Sequence, residues 1–175
     1  AKSLLDIHGR CSQDFFKARP DKSIFWSAGR DCFLAYRVAG SYAVVLGDPV
    51  GPQEAIEPLV RQFDAYCTDN DWGMGFHQTL PDFLELYQRL GFKRLKVGDE
   101  AIVDLAGFTL QGSAAKTFRS RVNQLEKAGV RTRYHEPPIS SAMMTQLKDV
   151  SDEWLNIPGR RERQFTLGMF EEEYI

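Results

Sequence analysis

The chain has 175 residues, of which 43% are hydrophobic, and its formal net charge is −2 at pH 7. This length and composition allow the core of one domain, or of one domain and part of a second. The near-neutral balance excludes a protein that coats nucleic acid with its whole surface, so any contact with a polyanion must be local.

The first third of the chain predicts one helix followed by three strands. Residues 3–18 place apolar side chains at helical spacing, and Pro20 ends the pattern. Three runs rich in β-branched and aromatic residues follow at 24–28, 32–39 and 42–48. The breaks between these runs are short and contain glycine, so we expect antiparallel hairpins.

A helix, a strand and a second helix are predicted next. Apolar residues recur at helical spacing across 53–70, and residues 73–78 are typical of a short strand. The second helix begins near Pro81 and ends at Gly91, which suits a C-cap. The turn GDPVGP at 47–52 matches neither a P-loop nor a dinucleotide turn. We interpret it as a strand-to-helix turn. We expect its backbone amides to be exposed and available to an anion, as the amides at helix N-termini are in general.

The second half of the chain continues the alternation of strands and helices. Residues 93–105 divide at Gly98-Asp99 into two predicted short strands, and 130–136 predicts another. Helices are predicted over 112–129 and 140–155, the latter with Ser140 as its N-cap. The elements together predict an α+β fold with helices flanking one mixed, mainly antiparallel sheet.

Cysteine and histidine spacing predicts no metal site. Cys11, Cys32 and Cys67 are far apart and form no CxxC pair, which favours buried, reduced thiols in a cytosolic setting. The three histidines have no ligand spacing with one another or with the cysteines. No apolar run approaches the ~20 residues of a membrane span, and no signal-peptide pattern opens the chain.

One predicted helix is unusually cationic. Residues 116–133 hold six Lys or Arg residues and one acid, Glu126. Phe118, Val122 and Leu125 recur at helical spacing and predict a buried stripe. From charge alone, a solvated helix and a phosphate-binding surface remain equally open. A second cationic cluster at 160–163 favours phosphate binding, because phosphate contacts depend on local positive charge.

The segment YQRLGFKRL (87–95) resembles the late part of the GCN5-related acetyltransferase (GNAT) fold. The order of the preceding elements fits that fold as well. In that family an Arg/Gln-x-x-Gly-x-Gly/Ala turn holds the coenzyme A pyrophosphate. Here GDPVGPQEA (47–55) takes its place and does not match.

A more specific resemblance runs through the second half of the chain. The segments that carry it are VGDEAIVDL (97–105), FTLQGSAAKTFRSRVNQLEKAG (108–129), EPP (136–138), SDEWL (151–155) and GRRERQFTLGMFEEEYI (159–175). In this order they resemble the soluble C-terminal domain of the aminoacyl-phosphatidylglycerol synthases, the bacterial multiple peptide resistance factors. The resemblance implies transfer of lysine or alanine from aminoacyl-tRNA to the glycerol hydroxyl of phosphatidylglycerol. It implies no metal or redox cofactor, because the aminoacyl ester is already activated.

The family also implies a domain organisation. Its catalytic domain has two acetyltransferase-like halves behind an N-terminal transmembrane flippase domain, at the cytoplasmic face of the bacterial inner membrane. Residues 1–135 are expected to be the first half, and 136–175 a connecting helix with the start of a truncated second half. The family domain is nearly twice as long as this chain, so we expect a fragment and predict no activity for the fragment alone.

The resemblance implies roles for nine residues. The expected catalytic-cleft residues are Asp152, Glu153, Arg161 and Glu162. The expected phosphate-, tRNA- or lipid-binding residues are Lys116, Arg119, Arg121, Asn123 and Arg163. Trp154, Phe165 and Leu167 are predicted to be core, and no residue is assigned as general base. Two alternatives remain open, a GNAT-type N-acetyltransferase and a non-catalytic module that binds tRNA or anionic lipid.

Overall fold

A computed structural model describes all 175 residues, which divide into two compact units. The first unit comprises Ala1–Arg94 and Asp149–Glu171, and the second comprises Leu95–Lys148 and Glu172–Ile175. The two units are distinguished by their compactness. Their bounds do not test the expected boundary between two acetyltransferase-like halves, 1–135 and 136–175, which stays a prediction.

The first unit is built on a four-stranded sheet in the order β1-β2-β3-β4. The strands are β1 (Ser23–Trp26), β2 (Phe33–Ala39), β3 (Tyr42–Leu46) and β4 (Gly73–His77). β1, β2 and β3 pair antiparallel, which confirms the predicted hairpins. β4 pairs parallel with β3, with Leu46 opposite His77. A parallel pair needs a crossover connection, and a helix supplies it here.

The core of the first unit lies between the sheet and that crossover helix, α3 (Gln53–Asp69). Ile56, Leu59, Val60 and Phe63 are fully buried on one face of α3. They pack against sheet residues such as Leu34 and Val45, in the 3.6-residue spacing that predicted the helix. Each such buried side chain contributes about 1.5–3 kcal/mol, so this face holds the helix on the sheet.

The predicted N-terminal helix 3–18 is wrong as a single element. The structure has two short helices, α1 (Lys2–His8) and α2 (Asp14–Lys17), with Gly9 at the end of α1. The Asp14 carboxylate accepts hydrogen bonds from the amides of Arg10 and Cys11, at 2.5 and 3.1 Å. These side-chain bonds take the place of helical bonds in the connecting turn.

The helix predicted from Pro81 to Gly91 is a 3₁₀ turn (Pro81–Phe83) followed by α4 (Leu84–Arg89). The second half of the chain contains α5 (Lys116–Lys127), α6 (Ser141–Leu155) and a 3₁₀ turn (Glu172–Tyr174). The amide of Met143 donates to the Ser140 hydroxyl at 3.3 Å, which confirms the predicted cap of α6.

The strands predicted at 93–105 and 130–136 are wrong, because neither segment pairs with the sheet. The second unit contains no strand at all. A strand pattern describes side chains that suit a pleated surface. The backbone becomes a strand only when a neighbouring strand accepts its hydrogen bonds.

The buried stripe predicted on α5 is also wrong. Phe118 is 62% exposed and Leu125 is 52% exposed, and Val122 is exposed as well. Helical spacing reports that apolar side chains share one face, and it does not specify what covers that face. Among all helices, none combines the length and the apolar character that crossing a membrane requires.

Candidate functional site

Four predicted phosphate-binding residues share α5, in the second unit: Lys116, Arg119, Arg121 and Asn123. The guanidinium of Arg119 is half-buried and donates to the carbonyls of Leu110 and Gly112, at 2.5 and 2.6 Å. Arg121 donates to the side chain of Gln124 at 3.1 Å, while Lys116 and Asn123 are exposed. Arg119 therefore ties the preceding loop to α5, whereas the other cations face solvent.

The remaining predicted site residues belong to the first unit. Asp152 and Glu153 are exposed on the last turns of α6. Arg161 and Arg163 are exposed on the segment that follows, and Glu162 between them is half-buried. One carboxylate oxygen of Glu162 accepts the amide hydrogen of Phe170 at 2.9 Å.

Two of the three side chains predicted to be core are exposed. Trp154 and Leu167 are 42% and 51% accessible, and only Phe165 is half-buried. The guanidinium of Arg160 lies over the Trp154 ring, 5.6 Å from its centroid. A cation above an exposed indole is favourable by roughly 0.5–1 kcal/mol, so this side of the segment is an Arg–aromatic surface instead of core.

Buried charges mark a second cluster in the first unit that the sequence did not predict. The ammonium of Lys17 pairs with Asp14 at 2.6 Å and donates to the carbonyl of Asp48 at 2.6 Å. The Lys17 side chain is almost fully buried, and Asp14 and Asp48 are buried with it. A buried ammonium without such partners would be strongly destabilising, so the three residues depend on one another.

The Asp48 carboxylate joins three parts of the chain. It accepts hydrogen bonds from the amide of Leu80 at 2.9 Å and from the hydroxyl of Tyr87 at 2.8 Å. Burial raises the pKa of the Asp48 carboxyl, and these hydrogen bonds offset only part of that effect. Burial alone would raise the pKa of Asp14 too, but the Lys17 ammonium and the hydrogen bonds from Lys17, Arg10 and Cys11 lower it below its usual range.

This cluster lines a shallow recess at the carboxyl ends of β3 and β4, with a cavity volume of only about 10 Å³. Gly47 and Gln78 contribute from the strand ends, and His8 and Arg10 contribute from α1 and the turn after it. Carboxyl ends of adjacent parallel strands are where open α/β sheets bind ligands. The lysine and the two acids here already satisfy one another, so their charges serve first to hold the recess in shape.

The GDPVGP turn closes against the sheet, contrary to the expectation of exposed amides. The amide of Gly47 donates to the His77 carbonyl at 2.7 Å. Val50 exchanges both of its backbone hydrogen bonds with Phe33, at 2.7 and 2.9 Å. Residues 46–50 are buried, so the amides of Gly47 and Val50 are not available to an anion.

No group of three or more His, Cys, Asp and Glu side chains is placed to hold a metal ion. The three cysteines are free thiols; Cys32 and Cys67 are buried and Cys11 is half-buried. Burial, with nearby acids, raises the pKa of the Cys32 and Cys67 thiols to about 11. Both thiols are therefore protonated and unreactive at neutral pH.

Comparison with known proteins decides the family. The family described as phosphatidylglycerol lysyltransferase, C-terminal, matches residues 2–175. The chain belongs to this family. The match spans both compact units, the recess and every residue predicted to form the site.

The relatives of this chain are longer proteins. A phosphatidylglycerol lysyltransferase of Staphylococcus haemolyticus is 35% identical over 174 residues, which are 99% of this chain and 20% of that protein. One of Staphylococcus aureus strain MSSA476 is 35% identical over 155 residues, 89% of this chain and 18% of that protein. The chain therefore spans about a fifth of the length of these relatives.

Two solved structures confirm the α+β, acetyltransferase-like fold. The structure of L-PGS from Bacillus licheniformis is 30% identical, with a TM-score of 0.85. The C-terminal domain of a putative lysylphosphatidylglycerol synthetase from Agrobacterium fabrum is 28% identical, with a TM-score of 0.89. Each match covers 99% of this chain and 55% of the solved chain.

Sequence reasoning missed the buried charges of the first unit. Lys17 follows two phenylalanines in the short helix DFFK, and Asp48 follows the buried end of β3. A charged residue inside an apolar stretch is a signal, because charged side chains are almost never fully buried unless they are paired. Lys17 and Asp48 are 31 residues apart, and Asp48 and Tyr87 are 39 apart, so these two contacts could not be read from spacing.

Proposed function

We propose that a protein carrying this chain transfers an aminoacyl group, lysyl or alanyl, from aminoacyl-tRNA to the glycerol hydroxyl of phosphatidylglycerol. The observation that carries the proposal is the family match over residues 2–175, supported by relatives named phosphatidylglycerol lysyltransferase. The choice between lysine and alanine, and the use of tRNA as donor, are part of the proposal.

The reaction is an ester exchange. The glycerol oxygen attacks the aminoacyl carbonyl carbon, a new ester bond forms, and the bond from that carbon to the ribose oxygen breaks. The glycerol hydroxyl loses its proton, and the leaving ribose oxygen gains one. Such a transfer needs a base near the hydroxyl, donors for the oxyanion and cations for the phosphates of both substrates.

The predicted residues take these roles in the proposal. Asp152, Glu153, Arg161 and Glu162 are assigned to the substrate cleft. Lys116, Arg119, Arg121, Asn123 and Arg163 are assigned to phosphate groups. The exposure of Lys116, Arg121 and Arg163 supports phosphate binding, because an incoming polyanion can reach them.

The proposal also places the protein in the cell. The chain would act at the cytoplasmic face of the bacterial inner membrane, next to an N-terminal transmembrane flippase domain of the same polypeptide. Attaching lysine to phosphatidylglycerol adds positive charge to an anionic lipid. A less negative membrane attracts cationic peptides less strongly, so the activity would confer resistance to cationic antimicrobial peptides.

The test incubates the full-length protein with labelled lysyl-tRNA or alanyl-tRNA and with phosphatidylglycerol vesicles. We expect labelled lipid with one of the two donors. In the Arg163→Ala variant we expect less product at low tRNA concentration. The matched control is Arg61→Ala, which removes an exposed arginine paired only with Glu57 on the surface of α3.

Absence of labelled lipid with every aminoacyl-tRNA would contradict the proposal. Saturable binding of coenzyme A would then favour the N-acetyltransferase alternative. Binding of tRNA or anionic vesicles, weakened by salt and without transfer, would favour the non-catalytic module.

A further inference from the structure

Residues 162–170 form a loop closed by its own side chain. Glu162 accepts the amide hydrogen of Phe170 at 2.9 Å, which joins the two ends of the loop. Arg161 and Arg163 flank Glu162 and are exposed. The closure therefore fixes the backbone from which both arginines project.

The centre of this loop is held by a buried ion pair. The Lys22 side chain is 0% exposed, and its ammonium contacts the Asp21 carboxylate at 2.6 Å and donates to the Phe165 carbonyl at 2.9 Å. The amide of Phe165 donates to the other Asp21 oxygen at 3.0 Å. Lys22 and Asp21 thus satisfy both backbone polar groups of Phe165. A fully buried lysine is rare unless it is paired, so this contact is a specific one.

The loop backbone needs such an anchor. Gln164 and Phe165 have φ angles of 56° and 64°, in the left-handed region that residues other than glycine seldom adopt. Two consecutive residues persist there only when their surroundings hold them. Arg37 provides another contact, donating to the Gln164 side chain at 3.2 Å. Left-handed residues held in this way cluster at functional sites.

We propose that Lys22 and Asp21 are positioning residues that hold the loop so that Arg163 binds phosphates of an RNA, together with Arg161, which thereby takes a phosphate-binding role in place of the one given above in the substrate cleft. In the same arrangement Glu162 acts as a hydrogen-bond acceptor that closes the loop, and not as an acid or base. This inference rests on the proposed function, in which the RNA is the aminoacyl-tRNA.

The geometry favours RNA over a membrane surface. Arginines project from an anchored backbone, and Arg160 lies over the exposed ring of Trp154 close by in the chain. Folded RNA presents phosphates at fixed spacing, and its recognition uses arginine and aromatic planes. Proteins bind a fluid bilayer with mobile cationic side chains beside inserted apolar ones, and such a surface needs no anchored backbone.

The first experiment measures the affinity of unacylated tRNA for the full-length protein by fluorescence anisotropy at several salt concentrations. Lys22→Met removes the buried ammonium and is expected to weaken binding about five- to tenfold, as loss of one or two phosphate contacts does. The tRNA affinity of this variant should also depend less steeply on salt concentration, although Lys22 itself is inaccessible to RNA. Lys93→Met, at an exposed lysine, is the matched control.

A double-mutant cycle separates positioning from general destabilisation. Adding Lys22→Met to the Arg161→Ala/Arg163→Ala variant should produce no further loss of tRNA affinity, because the arginines it positions are already absent. Full additivity of the two effects would overturn the inference. So would unchanged tRNA affinity in a folded Lys22→Met protein.

If Lys22→Met does not fold by circular dichroism, Arg37→Ala serves in the same cycle. Arg37 is exposed and contributes one contact, so its loss leaves the core intact. A parallel series with phosphatidylglycerol vesicles identifies the partner. Loss of vesicle binding with unchanged tRNA binding would overturn the assignment to RNA.

The second experiment compares the tRNA affinities of two variants at Glu162. Glu162→Ala should weaken tRNA binding more than Glu162→Gln does, because the glutamine side chain keeps an acceptor oxygen for the amide of Phe170. Equal losses of tRNA affinity in the two variants would overturn the loop-closing role. If the native protein transfers nothing, the proposed function fails, while the tRNA-binding cycle still decides the positioning role.

Discussion

The hydroxyl of Tyr87 donates a hydrogen bond to the carboxylate of Asp48, with 2.8 Å between the two oxygens. The residues are 39 positions apart, and the bond connects α4 to the turn that follows β3. Burial raises the pKa of Tyr87, and the neighbouring Asp48 raises it further, so the hydroxyl keeps its proton. The protonated hydroxyl is thus available to satisfy Asp48.

Replacing Tyr87 with Phe should lower the free energy of unfolding by about 1–3 kcal/mol, because Asp48 loses a buried hydrogen-bond donor. Urea denaturation followed by tryptophan fluorescence measures the change. Tyr134→Phe is the control, since Tyr134 is 83% exposed and its change should stay within about 0.5 kcal/mol. Equal stability of both variants would show that the bond to Asp48 contributes nothing.

Asp14 should stabilise the fold at neutral pH and lose that effect in acid. Its pKa is lowered from 3.8, so the unfolded chain binds the proton more readily than the folded one. The contribution is present above the unfolded pKa and is lost as pH falls through the folded pKa. Unfolding measured from pH 7 to pH 2.5 should show the stability advantage over Asp14→Asn shrinking below about pH 4. A constant difference would contradict the Lys17 pairing.

Asp48 should show the opposite dependence. Its pKa is raised from 3.8 because it is buried, so the folded state holds its proton more tightly. Relative to Asp48→Asn, the native protein should lose stability as pH rises from the unfolded pKa through the folded pKa. The same pH series measures both aspartates. If the stability difference between the native protein and the Asn variant changed with pH in the same direction for both, their environments would not differ as described.

Gly47 should not tolerate a side chain. Its φ is +59°, and a Cβ atom would lie 3.3 Å from the Lys17 ammonium, which two hydrogen-bonding partners hold in place. Gly47→Ala should cost more than the roughly 1–2 kcal/mol of the left-handed backbone alone. Gly91→Ala is the matched control, because its φ is +88° and no atom lies within 4 Å. Equal losses would mean that Lys17 moves aside.

Arg119 and Arg121 should behave differently although they share α5. Arg119→Ala removes the two bonds to Leu110 and Gly112, so amide hydrogen exchange in that loop should become faster. Arg121→Ala should leave exchange in the loop unchanged, since Arg121 contacts only Gln124. Unchanged exchange in both variants would show that the Arg119 contacts are not maintained in solution.

Local patterns predicted the first unit well. The hairpins from β1 to β3 and the helix α3 follow from periods of two and 3.6 residues, and each pattern has a partner to pack against. The same patterns failed at 93–105 and on α5. There the side chains suited a strand or a buried face, but no neighbouring strand or core lay beside them.

The candidate site shows the same division. The cationic character of 116–133 and 160–163 is visible in the sequence, because charge is a property of the residues themselves. That Arg119 binds carbonyls, or that Glu162 closes a loop, depends on atoms far along the backbone. Spacing in one segment carries no information on such partners.

By itself the sequence determined the family, the α+β class, the order of the first seven elements apart from the broken N-terminal helix, and the location of the cationic segments. Only the tertiary structure decided which charges are buried. Lys17 meets Asp48, and Lys22 meets Phe165, across 31 and 143 residues of chain. A charged side chain is buried only where the fold brings a partner beside it. These partners lie far away in the sequence, so only the tertiary structure shows them.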